Sequence, residues 1–305
     1  MSGQPGSRAE GRIEVTGGFV WYRIAGNGEG TPLIVLHGGP GGNSRYLYAL
    51  DALAEDRPVV YYDQLGGGLS DHPDDCSLWT IARSVDELRR VREALGLTRT
   101  HILGHSYGGL VGLEYAIEGA TGITSLVLSN TAVSVPRYVI TVAEFCDRLP
   151  RDHKQTIAAA LAGQLTASER LQHAVLAFQQ RYLCRATPWP PVVVDGLSSI
   201  NARVFMTQWG ATPFAATGPL ATYDRCADLS GLSCPVLFTT GHHDPVTPAH
   251  INADAAKVPT GQTMVFDGAH VPTIEAPAQY IQTVRRFLKR AEAIAPRRAS
   301  AVVGP

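Results

Sequence analysis

Gly104-His105-Ser106-Tyr107-Gly108 joins a run of strand-forming residues, His101–Leu103, directly to a helical pattern that begins at Tyr107. A Gly-x-Ser-x-Gly segment between a strand and a helix is a nucleophile elbow. Its sharp turn strains the serine backbone, and flanking glycines admit the chain that crowds it. The turn lifts the Ser106 hydroxyl above a sheet at a helix N-terminus, where free N–H groups favour developing negative charge. The competing explanation is a chance glycine-rich turn, and the strand–turn–helix setting counts against it.

A serine hydroxyl needs a base, and the base needs an orienting group. Behind such an elbow the chain order is serine, acid, histidine. Asp244, in Gly241-His242-His243-Asp244-Pro245, follows the apolar run Pro235–Thr239; His270, in Asp267-Gly268-Ala269-His270, follows Thr263–Phe266. Both fall at C-terminal ends of strands, the edge where open α/β sheets place their sites. Ser106 is therefore read as nucleophile, His270 as general base and Asp244 as its orienter. Asp267 is the second choice of acid, better suited to capping its loop. An oxyanion hole needs two N–H donors aimed at one point. The expected pair is Tyr107, after the nucleophile, and Gly39, in His37-Gly38-Gly39-Pro40-Gly41-Gly42 after the run Pro32–Leu36. That loop lacks the Gly-Lys-Ser/Thr ending and the Gly-x-Gly-x-x-Gly register of phosphate-binding loops. His242 and His243 are adjacent, so they diverge, and no His-x₃-His spacing accompanies them. No metal and no cofactor are expected.

These residues need a sheet to carry them. Arg12–Thr16 and Phe19–Ala25 read as an antiparallel hairpin about Gly17-Gly18. Six short, almost continuously apolar runs follow: Pro32–Leu36, Pro58–Tyr62, His101–Leu103, Ser125–Ser129, Pro235–Thr239 and Thr263–Phe266. Such runs suit strands buried on both faces of a mostly parallel sheet. Helical periodicity fills the gaps over Ile81–Leu95 and Tyr107–Ile117, and a last helix spans Ala276–Ala291. Between Asn130 and Pro235 the alternation stops. Helical patterns around Val142–Leu149, Gln155–Leu165 and Ser168–Tyr182 lead to the proline-rich Pro188-Trp189-Pro190-Pro191. An unstructured loop of that length is implausible in a compact domain. The expected architecture is an α/β-hydrolase fold: a core of residues 1–130 and 223–305, with a helical cap at 131–222.

Bulk properties narrow the function. The chain has 305 residues with 26 Lys and Arg against 27 Asp and Glu, a formal charge of −1. No global field favours nucleic acid or an anionic membrane. No apolar run approaches the ~20 residues that span a bilayer. The lead MSGQPGSRAEGRIEV has no apolar stretch of a secretory signal and reads as disordered, as does the tail from about Pro296. Five cysteines at Cys76, Cys146, Cys184, Cys226 and Cys234, with no Cys-x-x-Cys, suit reduced thiols in a cytoplasmic protein.

His37-Gly38-Gly39-Pro40-Gly41, Asp63-Gln64-Leu65-Gly66-Gly67-Gly68-Leu69-Ser70 and Gly104-His105-Ser106-Tyr107-Gly108-Gly109 together resemble the prolyl aminopeptidase (proline iminopeptidase) family, which includes amino-acid amide hydrolases. The resemblance extends over nearly the whole chain. It implies cleavage of an amide or peptide bond in a small molecule or short peptide. Asp63, Gln64 and Ser70 would then shape the loop beneath the site. Family members grip the substrate's free α-amine with carboxylates, and here the chain departs. Pro213, in Trp209-Gly210-Ala211-Thr212-Pro213-Phe214, stands where the family has a glutamate, and Pro245 occupies the second such position. Glu144, Asp147 or Glu275 could replace them. Phe205, Trp209, Phe214 and Tyr223 are candidates to line the acyl pocket, with packing inside the cap as the equal alternative for each. The rival functions are an esterase, thioesterase or acyltransferase that needs no free amine, and a non-catalytic binding protein on a hydrolase scaffold.

Overall fold

The apolar runs divide their side chains by period two. Leu33, Val35, Val59, Tyr61, Leu103, Val127 and Leu237 enter one core; Ile34, Leu36, Val60, Tyr62, Ile102, Leu126, Leu128, Val236 and Phe238 enter the other. Successive side chains of a strand point to opposite faces, so both faces of this sheet are covered. In the computed structural model, which describes residues 7–165 and 168–294, eight strands form that sheet. They are β1 (Ser7–Val15), β2 (Gly18–Ala25), β3 (Leu33–Leu36), β4 (Val59–Tyr62), β5 (Thr100–His105), β6 (Ile123–Ser129), β7 (Val236–Gly241) and β8 (Gly261–Phe266). Their order is β1-β2-β4-β3-β5-β6-β7-β8. The β1–β2 hairpin adds antiparallel to β4, and all the other pairings are parallel.

Two sequence expectations are corrected here. Most of the lead expected to be disordered is strand from Ser7 onward, paired along β2; its first six residues and the tail from about Pro296 lie outside the described residues. The run at Thr263–Phe266 is not buried on both faces. It belongs to β8, which among the described residues ends the sheet, and only Phe266 of that strand is fully buried.

Helices α1 (Ile81–Ala94) and α2 (Tyr107–Ile117) pack in the core with Ile34 and Leu36. The Thr80 side chain caps α1 by accepting the Arg83 N–H at 3.2 Å. Among the described residues, five α-helices lie between β6 and β7: α3 (Val135–Cys146), α4 (Arg151–Leu161), α5 (Glu169–Tyr182), α6 (Pro191–Ser198) and α7 (Ala202–Gln208). The first starts earlier than Val142, since Ser134 caps it and Pro136 sits in its first turn, a strong start signal. The last two were not expected; α6 opens on Pro191 itself, and α7 on the Asn201 cap. Val142, Phe145, Ile157, Ala174, Phe178 and Phe214 form a core of their own among these helices. The segment leaves and re-enters the sheet side by side: the Val135 N–H donates to Tyr223 O at 2.9 Å, and the Arg225 N–H to Val133 O at 3.0 Å.

After β7 come α8 (Pro248–Ala255), the short α9 (Pro272–Glu275) and α10 (Pro277–Ile294). Tyr280, Val284, Phe287, Leu288 and Ala291 form the buried stripe of α10. Among the described residues no helix is long and apolar enough to cross a membrane.

Candidate active site

Strand β5 ends at His105, and the chain turns into α2 through Ser106, whose backbone sits at φ 52° and ψ −119°. Positive φ is strained for a residue with a side chain and persists only where its surroundings enforce it. Here they do. The Ser106 N–H donates to Ser129 O on the neighbouring strand at 2.9 Å. A Cβ on Gly104 would lie 2.3 Å from Gly108 O, and one on Gly108 2.3 Å from Leu36 O. Only glycine fits on both flanks, as the pentapeptide requires.

The loops after β7 and β8 bring Asp244 and His270 together. His270 Nδ1 lies 2.9 Å from Asp244 Oδ2, with the carboxylate fully buried. Asp244 has two further donors: Oδ2 also accepts the Asn130 side-chain amide at 2.5 Å, and Oδ1 accepts the Val246 N–H at 2.8 Å. All three partners donate, so His270 carries its proton on Nδ1 and leaves Nε2 as the basic atom. Burial alone would lower the His270 pKa; the charge of Asp244 and its hydrogen bond outweigh this and leave it raised above 6.5. Asn130 escaped the sequence reading. It has φ 52°, a conformation asparagine tolerates, at the end of β6 on the same sheet edge. A polar residue with that propensity at a strand end beside the nucleophile was its only signal. Asp267, the second choice of acid, is exposed.

A chain of hydrogen bonds links the elbow to the loop at Gly38. His105 Nε2 lies 2.7 Å from the His270 carbonyl oxygen and must donate to it. His105 Nδ1 therefore accepts from the Tyr46 hydroxyl at 2.7 Å, and the Tyr46 oxygen accepts the Gly38 N–H, also at 2.7 Å. Burial, with the charge of His270 second, lowers the His105 pKa to about 3 and keeps the ring neutral. The same loop is braced from below. Gln64 donates its N–H to His37 Nε2 and its side-chain amide to His37 O, both at 2.9 Å. Asp63 accepts from the Ser44 N–H and hydroxyl at 2.8 Å and from the Leu69 N–H at 2.9 Å. Ser70 donates to Asp63 O and accepts the Trp21 N–H. Gly39, at φ 91°, is thereby held on the wall of the cavity that also exposes Ser106, Tyr107 and His270. As the first residue of α2, Tyr107 has no acceptor for its N–H within the helix.

That cavity holds about 270 Å³. Phe205, Trp209 and Pro213 reach it from the inserted helices, as do Tyr138, Val193 and Leu197. Two of the expected substrate contacts do not. Glu144 is exposed on α3 and absent from the cavity wall, and Phe214 is buried 5.3 Å from the Phe178 ring in the separate helical core. Helix α3 presents Val135 and Tyr138 to the cavity, which turns Glu144 to solvent. Tyr223 also stays off the wall, packed at the re-entry to the sheet. His242 and His243 use their N–H groups to close the loop, donating to Phe266 O and Gly268 O at 3.0 Å. The five cysteines are unpaired, and burial holds Cys226 and Cys234 as thiols with pKa values near 11.

Residue types alone do not make a site. At the opposite end of the strands His101 Nδ1 lies 2.7 Å from Ser125 Oγ, and its Nε2 3.2 Å from Glu292 Oε1. This second serine–histidine–carboxylate chain is closed: Ser125 and His101 are fully buried in regular strand, and neither lines the cavity. Glu292 also accepts from Arg57 at 2.6 Å and from the Thr31 N–H at 3.0 Å, pinning α10 to the sheet.

The geometry has counterparts in known proteins. A family described as alpha/beta hydrolase fold matches residues 31–277. The chain is 37% identical to the proline iminopeptidase of Heyndrickxia coagulans, over 92% of this chain and 98% of that one. It is 32% identical to a proline iminopeptidase of Clostridium botulinum, over 88% and 94%. Among solved structures it superposes on VinJ with a TM-score of 0.89 at 30% identity, and on the proline iminopeptidase of Mycobacterium smegmatis with 0.86 at 29%; each match covers 94% of this chain and all of the other. With its eight-stranded sheet, its strained serine elbow and these relatives, the chain belongs to the proline iminopeptidase family of α/β-hydrolases.

Proposed function

We propose that this enzyme is a serine hydrolase cleaving an amide or peptide bond of a small acyl or amino-acyl substrate through an acyl-enzyme. The observation that carries the proposal is the Asp244–His270 hydrogen bond beside a strained Ser106 in one cavity. Ser106 Oγ attacks the carbonyl carbon while His270 Nε2 takes its proton. The leaving amine departs with that proton, and water, deprotonated by the same nitrogen, releases the acid. Asp244 fixes the tautomer and stabilises the imidazolium; Asn130 and the Val246 N–H hold Asp244 in turn. The Gly39 and Tyr107 N–H groups take the oxyanion, at ~10²–10³ in rate per donor. The family relationship supports amide cleavage over a purely esterolytic reading.

The test uses a fluorophosphonate probe, which reacts only with an activated serine. Wild type should label at one site, and Ser106→Ala should not label. The neutral imidazole is the active form, so the labelling rate should rise with pH through a midpoint above 6.5, the ordinary histidine value. Asp244→Asn removes the charge that raises it, and the midpoint should move down. Undiminished labelling of Ser106→Ala, or a rate independent of pH, contradicts the mechanism.

Residues 131–222 are proposed as a cap that sets the substrate and supplies no nucleophile, base or acid. The adjacent entry and exit segments and the separate helical core support this boundary. Trp209 faces the cavity while Phe214 faces that core, so truncating each has a different consequence. Trp209→Ala should shift the ranking of substrates by ~1–3 kcal/mol in kcat/KM. Phe214→Ala should lower stability by ~3–5 kcal/mol, read as a fall in Tm, with the ranking unchanged. Exchanged outcomes would reverse the assignments.

A further inference from the structure

The cavity that reaches Ser106 is apolar on the side away from the catalytic loops. Val135, Val193, Leu197, Ile200, Phe205 and Trp209 supply most of that wall. Its polar side chains, Asn43, Tyr138 and Gln179, are uncharged: Asn43 is engaged with Ser199 Oγ at 2.7 Å, and burial followed by the charge of Asp244 holds Tyr138 as a neutral phenol. Among the described residues, no Asp, Glu, Lys or Arg lines the cavity. Residues outside that description add no side-chain carboxylate, because positions 1–6, 166–167 and 295–305 contain neither Asp nor Glu.

None of the nearby carboxylates lines the cavity. Asp244 is fully buried behind His270 with three donors on it. Glu275 accepts the Arg185 N–H at 2.8 Å on one oxygen and the Ala269 N–H at 2.9 Å on the other. Asp147 pairs with Lys154 at 2.5 Å on the outer surface, and Glu144 is exposed. A substrate ammonium in this cavity would lose its water and find no counter-charge, which disfavours its binding. An alkyl or aryl group would instead gain by removing its apolar surface from water.

We propose that the acyl group accepted by this enzyme is uncharged and apolar, without a free α-amine. The proposal rests on the acyl-enzyme reading above. A cavity of ~150 Å³ lined by apolar side chains holds benzene; at about 270 Å³ this one suits an acyl group of roughly ten non-hydrogen atoms, estimated by the same proportion.

Two 4-nitroanilides isolate the amine. The 3-phenylpropanoyl and phenylalanyl compounds have acyl groups that differ only by the α-ammonium. Using purified full-length protein, kcat/KM should be at least tenfold higher for the amine-free compound. Equal rates, or preference for the amine, overturn the proposal. If neither anilide turns over, both are used as competitors of fluorophosphonate labelling, and the stronger protection by one of them decides on the same criterion. A gain-of-function variant gives independent evidence. Pro213 sits on the cavity wall, so Pro213→Glu should raise the phenylalanyl to phenylpropanoyl ratio at least tenfold over Pro213→Gln; no change in the ratio overturns the proposal. Failure of the underlying mechanism is distinguishable, because Ser106 would then resist the probe. A labelled Ser106 with an amine preference removes only the acyl-group inference.

Discussion

Purified Ser106→Ala, His270→Ala and Asp244→Asn are each expected to lose ~10³-fold or more in kcat, with thermal stability little changed for the serine variant. Ser106→Ala removes one oxygen from a backbone whose strain the surrounding glycines and Ser129 already enforce. The aspartate variant is the more informative. Three donors converge on Asp244: the Val246 N–H, the Asn130 amide and His270 Nδ1. An asparagine there offers one oxygen and one NH₂ group, so at least one of the three donors faces another donor. His270 is the freest of the three to respond, by moving its proton to Nε2, the atom that must accept from Ser106. The loss thus comes from the wrong tautomer as well as from the missing charge. Pairwise combinations should add little to the worst single change, because the three residues act as one unit. Steady-state kinetics on an activated ester, with Tm recorded for each variant, checks all of this. Near-normal turnover by Ser106→Ala would remove the mechanism.

The parts of this enzyme legible in the sequence are those in which one local rule decides the structure. Continuous apolar runs marked the parallel strands, and Gly-x-Ser-x-Gly between strand and helix marked the elbow, because sterics at Gly104 and Gly108 allow little else. The order of strands then carried Asp244 and His270 to the same edge. What the sequence did not disclose depends on packing between distant segments. Asn130 matters only because β7 and the loop after β8 lie beside it. Phe214 and Trp209 are five residues apart with similar apolar side chains, yet one faces the helical core and the other the cavity. Glu144 faces solvent because α3 turns Val135 and Tyr138 to the cavity instead. The unexpected start of α3 and the existence of α6 and α7 had local signals after all, in Ser134-Val135-Pro136, Pro190-Pro191 and Asn201. The proline-rich composition of that stretch hides the helix start, since proline is welcome in a helix's first turn, where its missing N–H has no acceptor to lose.

Gly38→Ala is expected to lower kcat by ~10²-fold or more, the scale of one lost oxyanion donor, while KM changes little. No residue of the triad is replaced in this variant. Gly38 lacks the positive φ of Gly39, so alanine is not strained by its backbone alone. The added Cβ would instead lie 2.9 Å from Ser106 Cβ and 3.0 Å from both His105 Nδ1 and the Tyr46 hydroxyl. All three neighbours are fixed: Ser106 by the elbow, His105 by the His270 carbonyl, and Tyr46 by its place between His105 and the Gly38 N–H. The loop is the element left to give way, and with it goes the Gly39 N–H, the proposed oxyanion donor. A shift of a few tenths of an ångström separates that donor from the oxyanion, whose position Ser106 still dictates. The ground-state carbonyl makes weaker demands on the same donor, so the loss should fall on kcat. Gly231→Ala serves as the control, since a Cβ there meets nothing within 4 Å and its φ is not positive. Tyr46→Phe should give a smaller loss of the same character, because it leaves the Gly38 N–H and His105 Nδ1 unpartnered while adding no atom near Ser106. Unchanged kcat in Gly38→Ala, with fluorophosphonate labelling at the wild-type rate, would show that the oxyanion is held elsewhere than by Gly39.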